Sequence, residues 1–168
     1  RMSQASREAL VDQFLRARHG SAPEAEKMML DTLQWRARVN IPQYITNGPQ
    51  ILGHPNAHFP MRVLTDPRKG HKQAVVYGLL RLLDKRHIEW EPFTDAVIAF
   101  FENLYFNQAY PIEPITVIID LRGWSVRRHT PYRIVKDGLQ VLQSYYPDRL
   151  GRVFLVNYSS TLRAAYAV

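Results

Sequence analysis

Among the residues able to do chemistry, Asp120 stands out, because it closes the apolar run Ile115-Thr116-Val117-Ile118-Ile119. A carboxylate there resembles the metal-binding strand end of a phosphate-loop nucleotidase, but that chemistry also needs the phosphate-cradling G-x-x-x-x-G-K-[ST] loop. The chain has neither that loop nor G-x-G-x-x-G, so the nucleotidase reading fails. An aspartate at a strand's C-terminal end commonly caps a turn instead. No G-x-S-x-G elbow exposes a nucleophilic serine. Ser159 and Ser160 read as caps of a terminal TLRAAYAV helix. His54, His58, His71, His87 and His129 read as surface or core residues, the usual state of a histidine outside a ligand cluster. No catalytic constellation emerges, so no enzyme, metal site or cofactor is expected.

With 168 residues, 46% of them hydrophobic, the chain can build one compact domain, or one domain and a small appendage. Zero cysteines exclude disulfide staples and cysteine zinc sites. No window approaches the roughly 18 to 20 apolar residues of a membrane span, and the opening RMSQASREAL lacks a signal peptide's apolar core. An intracellular protein, cytoplasmic or peripheral to a membrane, is expected. The start at Arg1 points to a processed or partial N-terminus. Lys and Arg number 22 against 15 Asp and Glu, a net +7 that favours anionic surfaces such as phospholipid headgroups or nucleic acid. These cations are dispersed: Arg16 and Arg18, Arg36 and Arg38, Arg68 with Lys69 and Lys72, Arg81 with Lys85 and Arg86, Arg122 with Arg127 and Arg128. Without a basic tail, zinc-finger spacing or aromatic RNP-like motif, no nucleic-acid partner is expected.

The elements that must position these residues divide the chain into three. Residues 1–41 form an N-terminal helical lobe. Its first helix carries Leu10, Val11, Phe14, Leu15 and Arg18 on one face and ends at Gly20; the second begins at a Ser21/Glu24 capping box and carries Ala25, Met28, Met29, Thr32, Leu33 and Arg36. Residues 42–60, with Pro42, Pro49, Pro55 and Pro60, have a Pro/Gly-rich linker composition in which long regular elements are not expected. Residues 61–168 form an α/β lobe. It opens with two short strands, Met61–Leu64 and Ala74–Leu79, about a polar turn. A helix behind Pro92 then carries Phe93, Val97, Phe100, Phe101, Leu104 and Tyr105, with apolar flanks, so it is buried or lies against something greasy. Ile115 to Tyr158 reads as a βαβ unit: a β-branched strand fit to be covered on both faces, a helix capped by Thr130 with Pro131 in first position, and the strand RVFLVNY. Such a crossover makes a parallel sheet.

Four segments, FLRAR (Phe14–Arg18), QWR (Gln34–Arg36), VIIDLRGWS (Val117–Ser125) and YYPDRLGRVFLVN (Tyr145–Asn157), resemble in kind and order the CRAL-TRIO lipid-binding domains of phosphatidylinositol transfer, tocopherol transfer and retinal-binding proteins. The resemblance implies a small helical lobe followed by a mostly parallel sheet whose flanking helices form a lipid cavity. It implies no catalytic residue or cofactor beyond a bound lipid. On it, Ile115, Val117 and Ile119 on one strand face, with Val153 and Leu155 beside them, are candidate cavity floor; Phe93 and Val97 are candidate walls; Asp148 and Arg149 lie near the polar end; the alternative for each of the apolar members is ordinary core. Where phosphoinositide binders of the family carry small hydroxyl residues and a Glu after YYP, this chain has Ile115, Val117 and Asp148, so phosphatidylinositol recognition is not expected. The family's domain continues with further strands, a gating helix and a lysine past the point where this chain stops, so a C-terminally incomplete lobe, open on one side, is expected. Its partners would be a lipid or other apolar small molecule, transiently an anionic membrane surface, and a protein covering the open side. The implied function is binding, and intermembrane transfer, of a hydrophobic molecule; the alternative is a non-enzymatic structural or interaction subunit that keeps the fold.

Overall fold

A computed structural model of the chain describes residues 3–66, 69–70, 73–105, 113–129 and 131–158. The N-terminal helices are α1 (Gln4–Ala17) and α2 (Ala22–Arg38). Ser3 caps α1 by accepting the Ser6 N–H (3.1 Å), and Gly20, at φ +85°, turns the chain towards α2. Ser21 is the N-cap of α2 as the sequence predicts, but its side chain makes no capping bond. Ala25, Met28 and Thr32 of the expected stripe are buried, while the fourth buried residue is Trp35 and Leu33 is exposed.

Residues 42–60 are not a spacer. They hold α3 (Ile41–Thr46) and α4 (Gly48–Leu52), with Pro42 and Pro49 in the first turns, where the missing N–H has no helical partner to lose. Ile41 and Tyr44 are buried, and the Tyr44 hydroxyl donates to Asp95 (2.8 Å) while Asn103 Nδ2 donates to the Tyr44 carbonyl (2.8 Å). Burial first, and the Asp95 carboxylate second, push the Tyr44 phenol up to about 12.

The α/β part follows in the order β1 (Met61–Thr65), β2 (Val75–Leu79), a 3-10 turn (Leu80–Leu82), α5 (Trp90–Tyr105), β3 (Ile115–Asp120), α6 (Val126–His129), α7 (Tyr132–Tyr145) and β4 (Leu150–Val156). The four strands lie in sequence order, β1 antiparallel to β2, and β2, β3 and β4 parallel. Thr130, expected to cap the βαβ helix, and the Ser159/Ser160 terminal helix lie outside the described residues, as does part of the turn between β1 and β2.

Because β2, β3 and β4 advance in one direction, two right-handed crossovers lay α5 and α7 on the same face of the sheet. The packing agrees. Phe100 and Leu104 of α5 pack with Val76, Ile115 and Val117, while Phe93 and Val97 pack with Ile134, Val135 and Leu142 of α7. A Cβ on Gly138 would sit 3.2 Å from Phe93 Cε1, so the glycine lets the two helices approach. As its composition requires, α5 is buried nearly all round, between the sheet, α3, α4 and α7.

The N-terminal helices pack on the α/β part. Trp35 stacks on Tyr145 of α7 (4.3 Å between centroids, 4° between planes) and meets Tyr146 edge-on (5.9 Å). Arg36 grips Glu102 of α5 with both guanidinium nitrogens, at 2.7 and 2.9 Å.

Candidate functional site

Strand alternation and register divide the sheet side chains between two faces. One carries Met61, Val63, Val76, Ile115, Val117, Ile119, Val153 and Leu155; the other carries Arg62, Leu64, Val75, Tyr77, Leu79, Thr116, Ile118, Arg152, Phe154 and Val156. The first faces α5. Ile115 (1% exposed) and Val117 (7%) are closed in by Phe100 and Leu104, and Ile119 packs on the same cluster. These three, expected as cavity floor, are helix-covered core, as are Phe93 and Val97, the expected walls. Two crossovers on one side leave no room between helix and sheet there.

Val153 and Leu155 share that face by register, yet remain 46% and 39% exposed, since β4 is the last strand of the sheet among the described residues. Asp148 and Arg149 lie at the N-terminal end of β4. Asp148, at φ +52°, takes an ion pair from Arg16 Nε (2.8 Å), and the Arg149 guanidinium lies buried over the Tyr105 ring at 4.6 Å. Both tie the N-terminal helices and α5 to the strand, and neither faces the open side of the sheet.

The second face is different. None of its side chains joins a hydrophobic cluster of the described residues, although Val75, Leu79, Ile118, Phe154 and Val156 make its centre apolar. Phe154 is 49% exposed. The strand expected to be covered on both faces is therefore helix-covered on one only, among the described residues. The apolar residues of this face interleave in sequence with the buried ones, and alternation names two faces without saying which one the crossovers cover.

Asp120 closes this face at the C-terminal ends of the strands. It accepts hydrogen bonds from the Tyr77 hydroxyl (2.5 Å), the Arg122 N–H (2.8 Å) and Asn157 Nδ2 (2.9 Å). The Tyr77 bond above all, then those from Arg122 and Asn157, hold the carboxyl down at about 2. A carboxylate so fully donated to is a clamp joining β2, β3 and the end of β4, and the Asp-caps-a-turn reading fits its bond to Arg122. Its pKa lies below the unfolded value of about 3.9, so its contribution to stability is complete above that value and fades as pH falls towards 2. In denaturant titrations at pH 5, 4, 3 and 2, the stability gap between wild type and Asp120→Asn is expected to narrow as pH falls; a constant gap would remove the clamp.

His54 and His58 are four apart, but they lie beyond α4, off any helix. No group of three His, Asp or Glu among the described residues could hold a metal. A cleft of about 540 Å³ opens between α2 and α7, lined by Trp35 and Tyr145 with Arg18, Lys27, Arg38, Glu24 and Asp31, away from the sheet. No helix of the described residues is long and apolar enough to cross a membrane.

The chain belongs to the CRAL/TRIO domain family, which matches residues 66–168. Members of this family bind lipids or apolar small molecules and are generally not enzymes. The crystal structure of Sfh5 superimposes with a TM-score of 0.72 at 19% identity, covering 98% of this chain and 62% of that one. At that identity the likeness shows the shared fold, and the chain spans about 62% of the length of the solved protein. No curated protein matches the chain.

Proposed function

We propose that this protein binds a phospholipid or other hydrophobic small molecule against the uncovered sheet face and carries it between membranes. The observation that carries this reading is the second face itself, an apolar floor of Val75, Leu79, Ile118, Phe154 and Val156 outside every core cluster of the described residues. Covering such a surface with an acyl chain gains roughly 25 cal/mol per Å² of apolar area removed from water. The Asp120, Tyr77 and Asn157 group gives the floor a polar end for a headgroup. On this reading the protein works in the cytoplasm or at a membrane surface, with a bound lipid and no cofactor.

A second reading, an interaction subunit, draws support from β4, where Leu150 to Leu155 are exposed and a partner chain could cover both sides of the strand. Native mass spectrometry of the full-length protein, purified from a lipid-rich host, separates the two. A stoichiometric lipid on the wild type and its loss from Ile118→Glu, which sets a charge in the apolar floor, are expected. A wild type that stays bare after incubation with mixed liposomes would leave only the interaction reading.

A further inference from the structure

The cations that look dispersed along the sequence are not dispersed in space. The loops after β2 and β3 meet at the C-terminal end of the sheet, where Arg128 reaches Asp84 with Nε and Nη2 (both 3.1 Å) and the Lys85 N–H donates to the Arg128 carbonyl (3.2 Å). Arg86 holds the same aspartate through Nε (3.0 Å) and Nη2 (2.7 Å). Arg81 lies alongside the second loop, its Cδ 3.8 Å from where a Cβ on Gly123 would be. That glycine, at φ +71°, turns the chain out of β3.

Segments 80–90 and 121–129 together hold six cations, Arg81, Lys85, Arg86, Arg122, Arg127 and Arg128, against two acids, Asp84 and Glu89. That is a net +4 out of the chain's +7. All six cations are exposed. Asp84 engages two of them, and Glu89 is occupied by Asn56 Nδ2 (2.7 Å). Arg81, Lys85, Arg122 and Arg127 make no salt bridge among the described residues. Leu82 and Val126 stand exposed among them.

We infer that this joined-loop surface docks the protein on an anionic phospholipid bilayer. The cations attract the negative surface potential of the leaflet, and an exposed leucine and valine between them fit the headgroup and acyl boundary of a bilayer. An RNA would make no use of those two aliphatic side chains. The inference rests on the carrier reading for its purpose: the surface sits at the end of the sheet where the open floor reaches its polar group at Asp120, so docking there sets one end of that floor against the membrane.

The test is flotation with phosphatidylcholine vesicles, with and without roughly 30% phosphatidylserine to supply the surface potential. The wild type is expected to bind only the anionic vesicles and to release them at about 0.5 M salt, where charges are screened within a few Å. Each basic residue at such a surface is worth about fivefold, so Arg81→Glu/Lys85→Glu/Arg127→Glu should lose at least ~100-fold in binding. This triple variant leaves Arg86, Arg128 and Asp84 in place. A charge-matched control, Arg7→Glu/Lys27→Glu/Arg38→Glu on α1 and α2, should keep most of the binding. Equal losses in the two variants, binding that ignores salt, or a wild type that prefers single-stranded RNA to anionic vesicles would each overturn the inference. Lipid occupancy of the triple variant, read by native mass spectrometry, should equal that of wild type. If no lipid is found on either protein, the carrier reading fails while the vesicle result still decides the docking surface.

Discussion

Arg36→Ala is expected to destabilise the protein by about 3 kcal/mol, because it strips a buried carboxylate of its charged partner. Glu102 is 7% exposed and takes two hydrogen bonds from the Arg36 guanidinium and one from the Tyr146 hydroxyl (2.7 Å). Burial, and after it the charge of Glu102, hold the Tyr146 phenol well above its ordinary pKa, so Tyr146 keeps its proton and continues to donate. A neutral phenol cannot replace a guanidinium. Urea denaturation of Arg36→Ala, Glu102→Gln and the double variant forms a cycle, in which the double variant should lose clearly less than the two single losses added. Additive losses would mean that the pair does not join α2 to α5.

Trp35→Ala is expected to cost about 4 kcal/mol, as large aromatic truncations in cores do. The indole fills the space between α2, α3 and α7, where Ile41, Tyr44 and Ile98 complete its cluster, and its stacking on Tyr145 and edge contact with Tyr146 add to the area it buries. A lobe attached by a flexible linker would lose its own helices first. Here, helical and sheet signals in circular dichroism should melt together in the variant, at a lower temperature than in wild type. An early, separate loss of helix with the sheet unaffected would mean that the N-terminal helices fold apart from the sheet.

The sequence makes much of this fold legible. The β-branched run of β3, the three-and-four spacing of α7 and the strand RVFLVNY define a βαβ unit, and the near-uniform apolarity of α5 marks it as the central helix. What it hides are relations between distant residues. Pro42 and Pro49 read as linker residues because proline breaks helix interiors, whereas both sit in first turns, where it is tolerated. Trp35 and Arg36 carry no local sign of their partners Tyr145 and Glu102, more than sixty residues away.

The candidate site shows the same limit more sharply. Alternation correctly groups Ile115, Val117 and Ile119 on one face, but Val75, Ile118 and Phe154 opposite them are equally apolar. Only the side chosen by α5 and α7 tells floor from core. The basic surface was likewise invisible, since Arg81 and Arg127 are brought near one another by the strand order and the Asp84 pairing, neither of which sequence spacing encodes.

The most direct test of the carrier account is photo-crosslinking with a phosphatidylcholine that bears a diazirine in its acyl chain, followed by peptide mapping of the adducts. Saturable labelling is expected on Tyr77, Ile118 and Phe154, with little on Phe93, Val97 or Val117. Saturable labelling on the α5 and α7 side instead, or none that an excess of unlabelled lipid competes away, would contradict it.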